Sequence, residues 1–142
     1  MKKIILHTFL PLFIGGVIYL LIRPANFLIH SIVEESWLLP SISTIRQASI
    51  SFSSSLPNII VYSLPDGLWV YSFTATIFYV WNFKINNWSL LFSSVPVILG
   101  IGSELGQFFK IVPGTFDFID IIFYLFGFIL SISILTNQKK NG

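Results

Sequence analysis

The stretch GSELGQFFKIVPGTFDFID, residues 102–120, places three carboxylates and one carboxamide inside a strongly apolar chain. The acids are Glu104, Asp117 and Asp120, and the amide belongs to Gln107. An ionised side chain at the centre of a membrane helix costs roughly 3 kcal/mol on insertion scales unless it is paired, hydrated or neutralised. These residues therefore predict either a binding site or a specific structural use, and the rest of the sequence narrows the choice.

The composition predicts an integral membrane protein. The chain has 142 residues, of which 54% are hydrophobic, 17% aromatic and only 10% charged, a balance that a soluble domain of this size does not need for one core. The absence of cysteine excludes disulfides and zinc–thiolate sites. The formal net charge of +2 is too small and too dispersed to predict nucleic-acid binding.

Four apolar stretches are long enough to cross a hydrocarbon layer of about 30 Å as helices rising about 1.5 Å per residue. They cover approximately residues 4–22, 67–83, 88–109 and 118–136. A β-barrel is rejected because its strands would be shorter and would alternate strictly between polar and apolar residues. We predict an all-α polytopic membrane protein, a bundle of four transmembrane helices that forms a single domain over residues 1–142.

The first apolar run is expected to remain a span, because it ends at Arg23 and Pro24 without the small-residue site at which secretory signals are cleaved. The segment of about 23–64 that follows is too long for a turn and too apolar for a free linker. We predict a partly helical outer loop there, between the first two spans.

Lysine and arginine favour the cytoplasmic side of a membrane, which predicts that both termini face the cytoplasm. That orientation places five lysines inside: Lys2, Lys3, Lys84, Lys139 and Lys140. Every acidic residue then falls on the outer half of the protein: Glu34, Glu35, Asp66, Glu104, Asp117 and Asp120. The last four belong to the outer ends of the second, third and fourth spans, which must be neighbours in so small a bundle.

Two of these acids have an ordinary structural explanation. Asp66 ends the sequence SLPD, which matches the S/T-x-x-D/E capping pattern at a helix start. Asp117 belongs to the first turn of the fourth span, where a carboxylate meets free N–H groups. For both residues capping and binding stay open. Asp120 is about one turn deeper, and Glu104 caps nothing in its own helix, so a functional site is the stronger prediction for these two.

Helical spacing groups the polar side chains, since positions three and four apart share a face. Glu104 and Gln107 follow one stripe of the third span, and Asp117, Asp120 and Tyr124 follow one stripe of the fourth. The turn KIVPGT, residues 110–115, forces the chain to reverse between them. We therefore predict one outward-facing polar pocket formed by Glu104, Gln107, Asp117, Asp120, Tyr124 and Asp66. On the other side of the third span, Gly102 and Gly106 have the spacing that lets another helix pack closely.

The stretch Ser103–Gly127 resembles the signature E-x-x-Q…P-G-R-x-x-D-x-x-D…N-x-x-G of VanZ-like membrane proteins. The matching residues are Glu104, Gln107, Pro113, Gly114, Asp117, Asp120 and Gly127. Thr115 replaces the usual arginine, Tyr124 replaces the usual asparagine, and only Asp66 remains of the D-K-x-x-H motif at the second span. The resemblance implies a small protein of the bacterial cytoplasmic (inner) membrane and an effect on susceptibility to teicoplanin-type glycopeptide antibiotics. Arg46 or Lys110 could replace the missing basic partner of the acids.

Three classes of function fit these residues. The first is a binding module that holds the head group of a membrane lipid or of a lipid-linked cell-envelope precursor. The second is an enzyme in which the carboxylates bind Mg²⁺ or Ca²⁺ and act on a lipid-linked substrate, since hard oxygen ligands suit those ions. The third is an accessory subunit of a membrane protein complex. We rank binding above catalysis because no nucleophile or general base stands out beyond the acids.

Overall fold

The structure is a computed structural model, and it describes residues 5–22 and 56–140. The N-terminal lysines and most of the predicted outer loop, including Arg46, lie outside the described residues. Every regular element in the described part is a helix, which confirms the all-α class for that part. The elements are α1 (Leu10–Val17), which is flanked by π-helical turns at Ile5–Phe9 and Ile18–Ile22, then α2 (Asn58–Val61), α3 (Ser63–Val80), α4 (Asn87–Phe108) and α5 (Phe118–Lys140).

Two of the described helices are long and apolar enough to cross a membrane. They are α4 and the Phe118–Asn137 part of α5, whereas the apolar helix Ile5–Val17 is shorter. The core helix of a soluble protein can have the same length and composition, but it would be mostly buried. Here only 22% of the most apolar window of α4 and 28% of that of α5 are buried inside the protein. This exposure favours a membrane as the surroundings of both helices.

The distribution of side chains differs from that in a water-soluble bundle. Small hydroxyl residues share the interior with apolar side chains, and Thr74, Ser89 and Ser93 are completely buried. Large apolar side chains cover the outside, where Leu99 is 67% exposed and Phe126 is 60% exposed. Small residues at helix contacts and an apolar exterior are the usual arrangement in membrane bundles, because lipid tails solvate leucine and phenylalanine as well as a protein core does.

Helix α3 lies at the centre and contacts α1, α4 and α5. Its tightest contact is with α5, where a side chain on Gly127 would collide with the carbonyl oxygen of Gly67. On α4, a Cβ atom at Gly100 would come within 2.9 Å of the Tyr124 ring. Two of the places where α5 meets its neighbours thus require glycine, which gives Gly127 a packing role.

Polar contacts in the interior tie the helices together. The Thr74 hydroxyl donates to the carbonyl oxygen of Ser93 over 3.3 Å, which joins α3 to α4. His7 Nδ1 and the Tyr71 hydroxyl are 2.6 Å apart and form a buried hydrogen bond between the N-terminal helical segment and α3. Side-chain hydrogen bonds of this kind contribute about 1 kcal/mol each between membrane helices.

The expected close helix contact at Gly102 and Gly106 is wrong for the part of the chain that the structure describes. Nothing lies within 4 Å of a Cβ atom at Gly102, and a Cβ at Gly106 would meet the side chain of Val112 at 2.7 Å. The reason is the chain reversal after α4. The N–H groups of Ile111 and Val112 both donate to the carbonyl oxygen of Gly106, at 2.8 Å and 3.1 Å, so the loop itself covers this glycine.

Candidate functional site

The connection between α4 and α5 folds back over the end of α4. Lys110 adopts a φ of 58° just after the helix ends, and Gly114 adopts a φ of 139°. A side chain at Gly114 would be strained by that backbone angle, and its Cβ would lie 2.6 Å from Oε1 of Gln107. The glycine thus lets the loop backbone lie directly on Gln107, which brings the start of α5 beside the last turns of α4.

Glu104 joins the two helices at this reversal. Its Oε2 accepts a hydrogen bond of 3.0 Å from the backbone N–H of Asp117, and its Oε1 accepts a longer one of 3.5 Å from Nε2 of Gln107. Tyr124 lines the same cavity as this carboxyl group. Glu104 is only 3% exposed, so the side chain that caps nothing in its own helix satisfies a free N–H at the beginning of the next one.

Asp117 has the capping role, one of the two roles that the sequence left open. Its Oδ1 accepts a hydrogen bond of 2.8 Å from the N–H of Ile119, which is the usual geometry of a residue that caps the N-terminus of a helix. It is also half-buried and lines the same cavity as Glu104. A carboxylate has two oxygens with several acceptor positions, so capping through Oδ1 leaves Oδ2 able to contact a ligand.

Asp120 is the most unusual member of the group. It is 7% exposed, and its buried Oδ1 has no hydrogen-bond partner. A buried polar atom that lacks a partner costs about 1–3 kcal/mol, and more when it is charged. Because Asp120 lines the cavity, a molecule inside the cavity is the natural source of the missing donor.

Of the two roles left open for Asp66, the capping one is not seen at the N-cap position of α3. Helix α3 begins at Ser63, so the N-cap position belongs to Tyr62, and no side chain caps the helix there. The reason is the short helix α2, which ends at Val61, immediately before Tyr62, and already sets the direction of the chain. Asp66 instead lines the cavity.

All six predicted site residues line one cavity of about 650 Å³ at one end of the bundle. They are Glu104, Gln107, Asp117, Asp120, Asp66 and Tyr124. Its rim includes the exposed loop residues Pro113, Gly114 and Thr115. The prediction that α3, α4 and α5 bring their acids to the same end therefore agrees with the described geometry.

Three aromatic residues of the cavity wall were not predicted. Tyr19 comes from the end of the N-terminal helical segment, while Tyr62 and Trp69 flank Asp66 along the chain. The rings of Tyr19 and Trp69 pack 5.4 Å apart, centre to centre. Helical spacing could have identified the other two, because Tyr62, Asp66 and Trp69 are four and three residues apart. Nothing in the sequence pairs Tyr19 with them.

None of the described residues that line the cavity is basic. Lys110, one of the two candidate partners for the acids, is exposed outside the cavity, and Arg46 lies outside the described residues. Within residues 5–22 and 56–140, no three His, Cys, Asp or Glu side chains come close enough together to hold a metal ion.

No protein-family model, no curated protein and no solved structure matches the chain. The resemblance to VanZ-like proteins therefore stays a prediction that rests on residues 103–127.

Replacement of Glu104 tests its bridging role. Glu104→Ala removes the acceptor of the Asp117 N–H and should lower the free energy of unfolding by about 1–3 kcal/mol, since a buried donor loses its partner. Glu104→Gln keeps one acceptor oxygen and should lose less than half as much. Thermal unfolding in detergent measures both, with Gly102→Ala as a control on an open surface. Equal stability of Glu104→Ala and the wild type would contradict the role.

Proposed function

We propose that the chain is a four-span protein of the bacterial cytoplasmic membrane, and that its acidic cavity binds an amine-bearing head group of a membrane lipid or of a lipid-linked envelope precursor. One observation carries the proposal. Four carboxyl groups line the cavity, no basic side chain does so among the described residues, and one oxygen of buried Asp120 lacks a partner.

The charge balance favours a cationic ligand. Carboxylates that share a site repel one another unless a positive charge or a proton compensates them. The described part of the protein places no Lys, Arg or His in the cavity wall, so a ligand that brings its own positive charge would be stabilised most. A bare phosphate would be repelled. An ammonium group has three N–H donors and can therefore contact several acids at once.

The aromatic wall supports the same class of ligand. Tyr19, Tyr62, Trp69 and Tyr124 all line the cavity, and ring faces attract cations by about 0.5–2 kcal/mol, more strongly when water is excluded. Carboxylates beside aromatic rings are a common way to recognise ammonium groups. The same wall would contact the apolar carbon atoms next to the nitrogen.

Two of the departures from the VanZ-like pattern fall in this cavity. Thr115 stands where the family has arginine, Tyr124 stands where it has asparagine, and both residues line the wall. Thr115 brings a hydroxyl group where the family has a cation, which supports a ligand that carries its own positive charge. Through the resemblance, we extend the proposal to an effect on susceptibility to teicoplanin-type antibiotics.

The proposed topology has the cavity at the outer face and both termini inside. The four acids of the described chain occur at the cavity end, whereas Lys84 follows α3 at the other end. Trp81 and Trp88 flank the same α3–α4 connection, and tryptophan is enriched at membrane interfaces. These positions support an outer α4–α5 connection and an inner α3–α4 connection.

The absence of natural cysteines makes this topology directly testable. Thr115→Cys in the α4–α5 connection should react with a membrane-impermeant maleimide added to intact cells or spheroplasts. Asn86→Cys in the α3–α4 connection should react only after the membrane is permeabilised. Labelling of Asn86→Cys but not Thr115→Cys in intact cells would invert the proposed orientation.

Binding is tested by calorimetric titration of hexadecylamine, hexadecanol and palmitate into protein-containing nanodiscs, with empty nanodiscs as the blank. We expect saturable binding of the amine only. Asp120→Asn should weaken it roughly tenfold, because a charge-assisted hydrogen bond contributes about 1.5–3 kcal/mol and each 1.4 kcal/mol is a factor of ten.

Ser131→Ala provides the matched control for this titration. Ser131 is a buried polar residue of α5 that does not line the cavity, so its replacement should leave the affinity unchanged. Equal binding of the alcohol and the amine, or an unchanged affinity in a folded Asp120→Asn protein, would overturn the proposal.

A further inference from the structure

A second depression, the α3–α4 groove, lies between α3 and α4 on the apolar surface. Its volume is about 390 Å³, and its lining residues are Phe73, Thr76, Ile77, Phe92, Val95, Pro96 and Leu99. The one hydroxyl group in this lining belongs to Thr76, which donates over 2.9 Å to the carbonyl oxygen of Ser72. The groove therefore offers a ligand only apolar surface.

The groove continues the cavity along the same two helices. On α3, Asp66 and Trp69 of the cavity are followed by Phe73 and Ile77 of the groove, at spacings of three and four residues that keep one helix face. The groove thus follows the cavity along the same face of α3, with polar lining at the cavity end and apolar lining beyond it.

On α4, the residues that line the cavity are also followed by residues that line the groove, here in the direction of the N-terminus. Gln107 and Ser103 line the cavity, and Leu99 and then Val95 line the groove at intervals of four residues. Since each residue of a helix rises about 1.5 Å, the step from Ser103 to Leu99 is only about 6 Å.

An aromatic cluster stands at the lower end of the groove. The Phe92 ring stacks on Trp81 with the ring centres 5.5 Å apart, and the centre of the Trp88 ring lies 6.5 Å from that of Phe92. From Ser103 to Phe92 the path is about 16 Å long at the helical rise of about 1.5 Å per residue. It is thus long enough for a hydrocarbon chain that starts at the cavity.

We propose that the α3–α4 groove holds one hydrocarbon chain of the amphiphile whose amine-bearing head group occupies the cavity. This inference rests on the proposed function and adds the tail site to it. The chain would lie along Leu99, Phe73 and Val95 and end near Phe92, so that one ligand contacts α3 and α4 over most of their length.

The position of the groove favours a hydrocarbon chain over a partner helix. Its lining residues continue the helix faces that line the cavity on both α3 and α4, so the tail of a ligand held in the cavity would reach it directly.

Photo-crosslinking tests the tail site. The probe is hexadecylamine with a diazirine near the middle of its chain, bound to the protein in nanodiscs, and the crosslinked peptides are identified by mass spectrometry. We expect crosslinks to concentrate on Phe73, Ile77, Val95 and Leu99 and to be competed by excess hexadecylamine. Leu99→Trp, which fills the groove, should reduce them to background.

The matched control is Ile98→Trp, because Ile98 is the neighbouring residue, is 59% exposed and does not line the groove. It should leave the crosslinks unchanged. Calorimetric binding of butylamine, which has a head group but no long chain, separates the two proposals and should be the same in Leu99→Trp and the wild type.

The outcomes distinguish the two proposals. Saturable butylamine binding together with hexadecylamine crosslinks spread evenly over the lipid-facing surface, or crosslinks that survive in Leu99→Trp, would overturn the tail site alone. Absence of saturable amine binding in the wild type would overturn the proposed function and the tail site together.

Discussion

A hydrocarbon exterior can satisfy no hydrogen bond, and this constraint shapes every part of the described structure. Large apolar side chains cover the outside, so polar groups can be accommodated only between helices or at the ends of the bundle. Thr74 and Ser93 form a hydrogen bond between helices, and so do the buried residues His7 and Tyr71. The acids of the described chain lie at one end of the bundle, where the chain reverses between α4 and α5.

That reversal also makes the cavity a preformed one. Gly114 lies on Gln107, Glu104 accepts the Asp117 N–H, and Asp117 in turn accepts the N–H of Ile119. Each contact fixes the next, so the carboxyl groups of α4 and α5 are positioned without a ligand. A preorganised site loses less conformational entropy on binding. Among the acids of the described chain, Asp120 alone has a buried oxygen without a partner, which makes it the acid expected to respond most to a ligand.

The sequence predicted which polar residues lie together better than it predicted which elements cover them. Helical periodicity and one Pro-Gly turn were enough to place Glu104 and Gln107 beside Asp117 and Asp120, because a short connection leaves two helices little freedom. Periodicity identifies the face of a helix but not the neighbour that covers it. Gly106 was therefore assigned to a helix contact, although the following loop covers it.

Longer-range features were beyond such reasoning. Tyr19 reaches the cavity from a segment far away in sequence, and the α3–α4 groove depends on how two apolar faces diverge, which no local pattern encodes. The SLPD pattern does not mark the N-cap position of α3, because α2 ends just before Tyr62 and leads directly into α3. Local capping patterns fail where one helix leads almost directly into another. The four spans and the orientation stay proposals.

The most direct measurement uses the aspartates. The chain contains three, Asp66, Asp117 and Asp120, and all of them line the cavity. Carbon-13 NMR of protein labelled at the aspartate carboxyl carbon, in nanodiscs, should show all three signals shifting together and saturably with hexadecylamine and remaining unchanged with hexadecanol. Signals that respond to neither compound, or to both alike, would contradict a shared cavity that binds an amine.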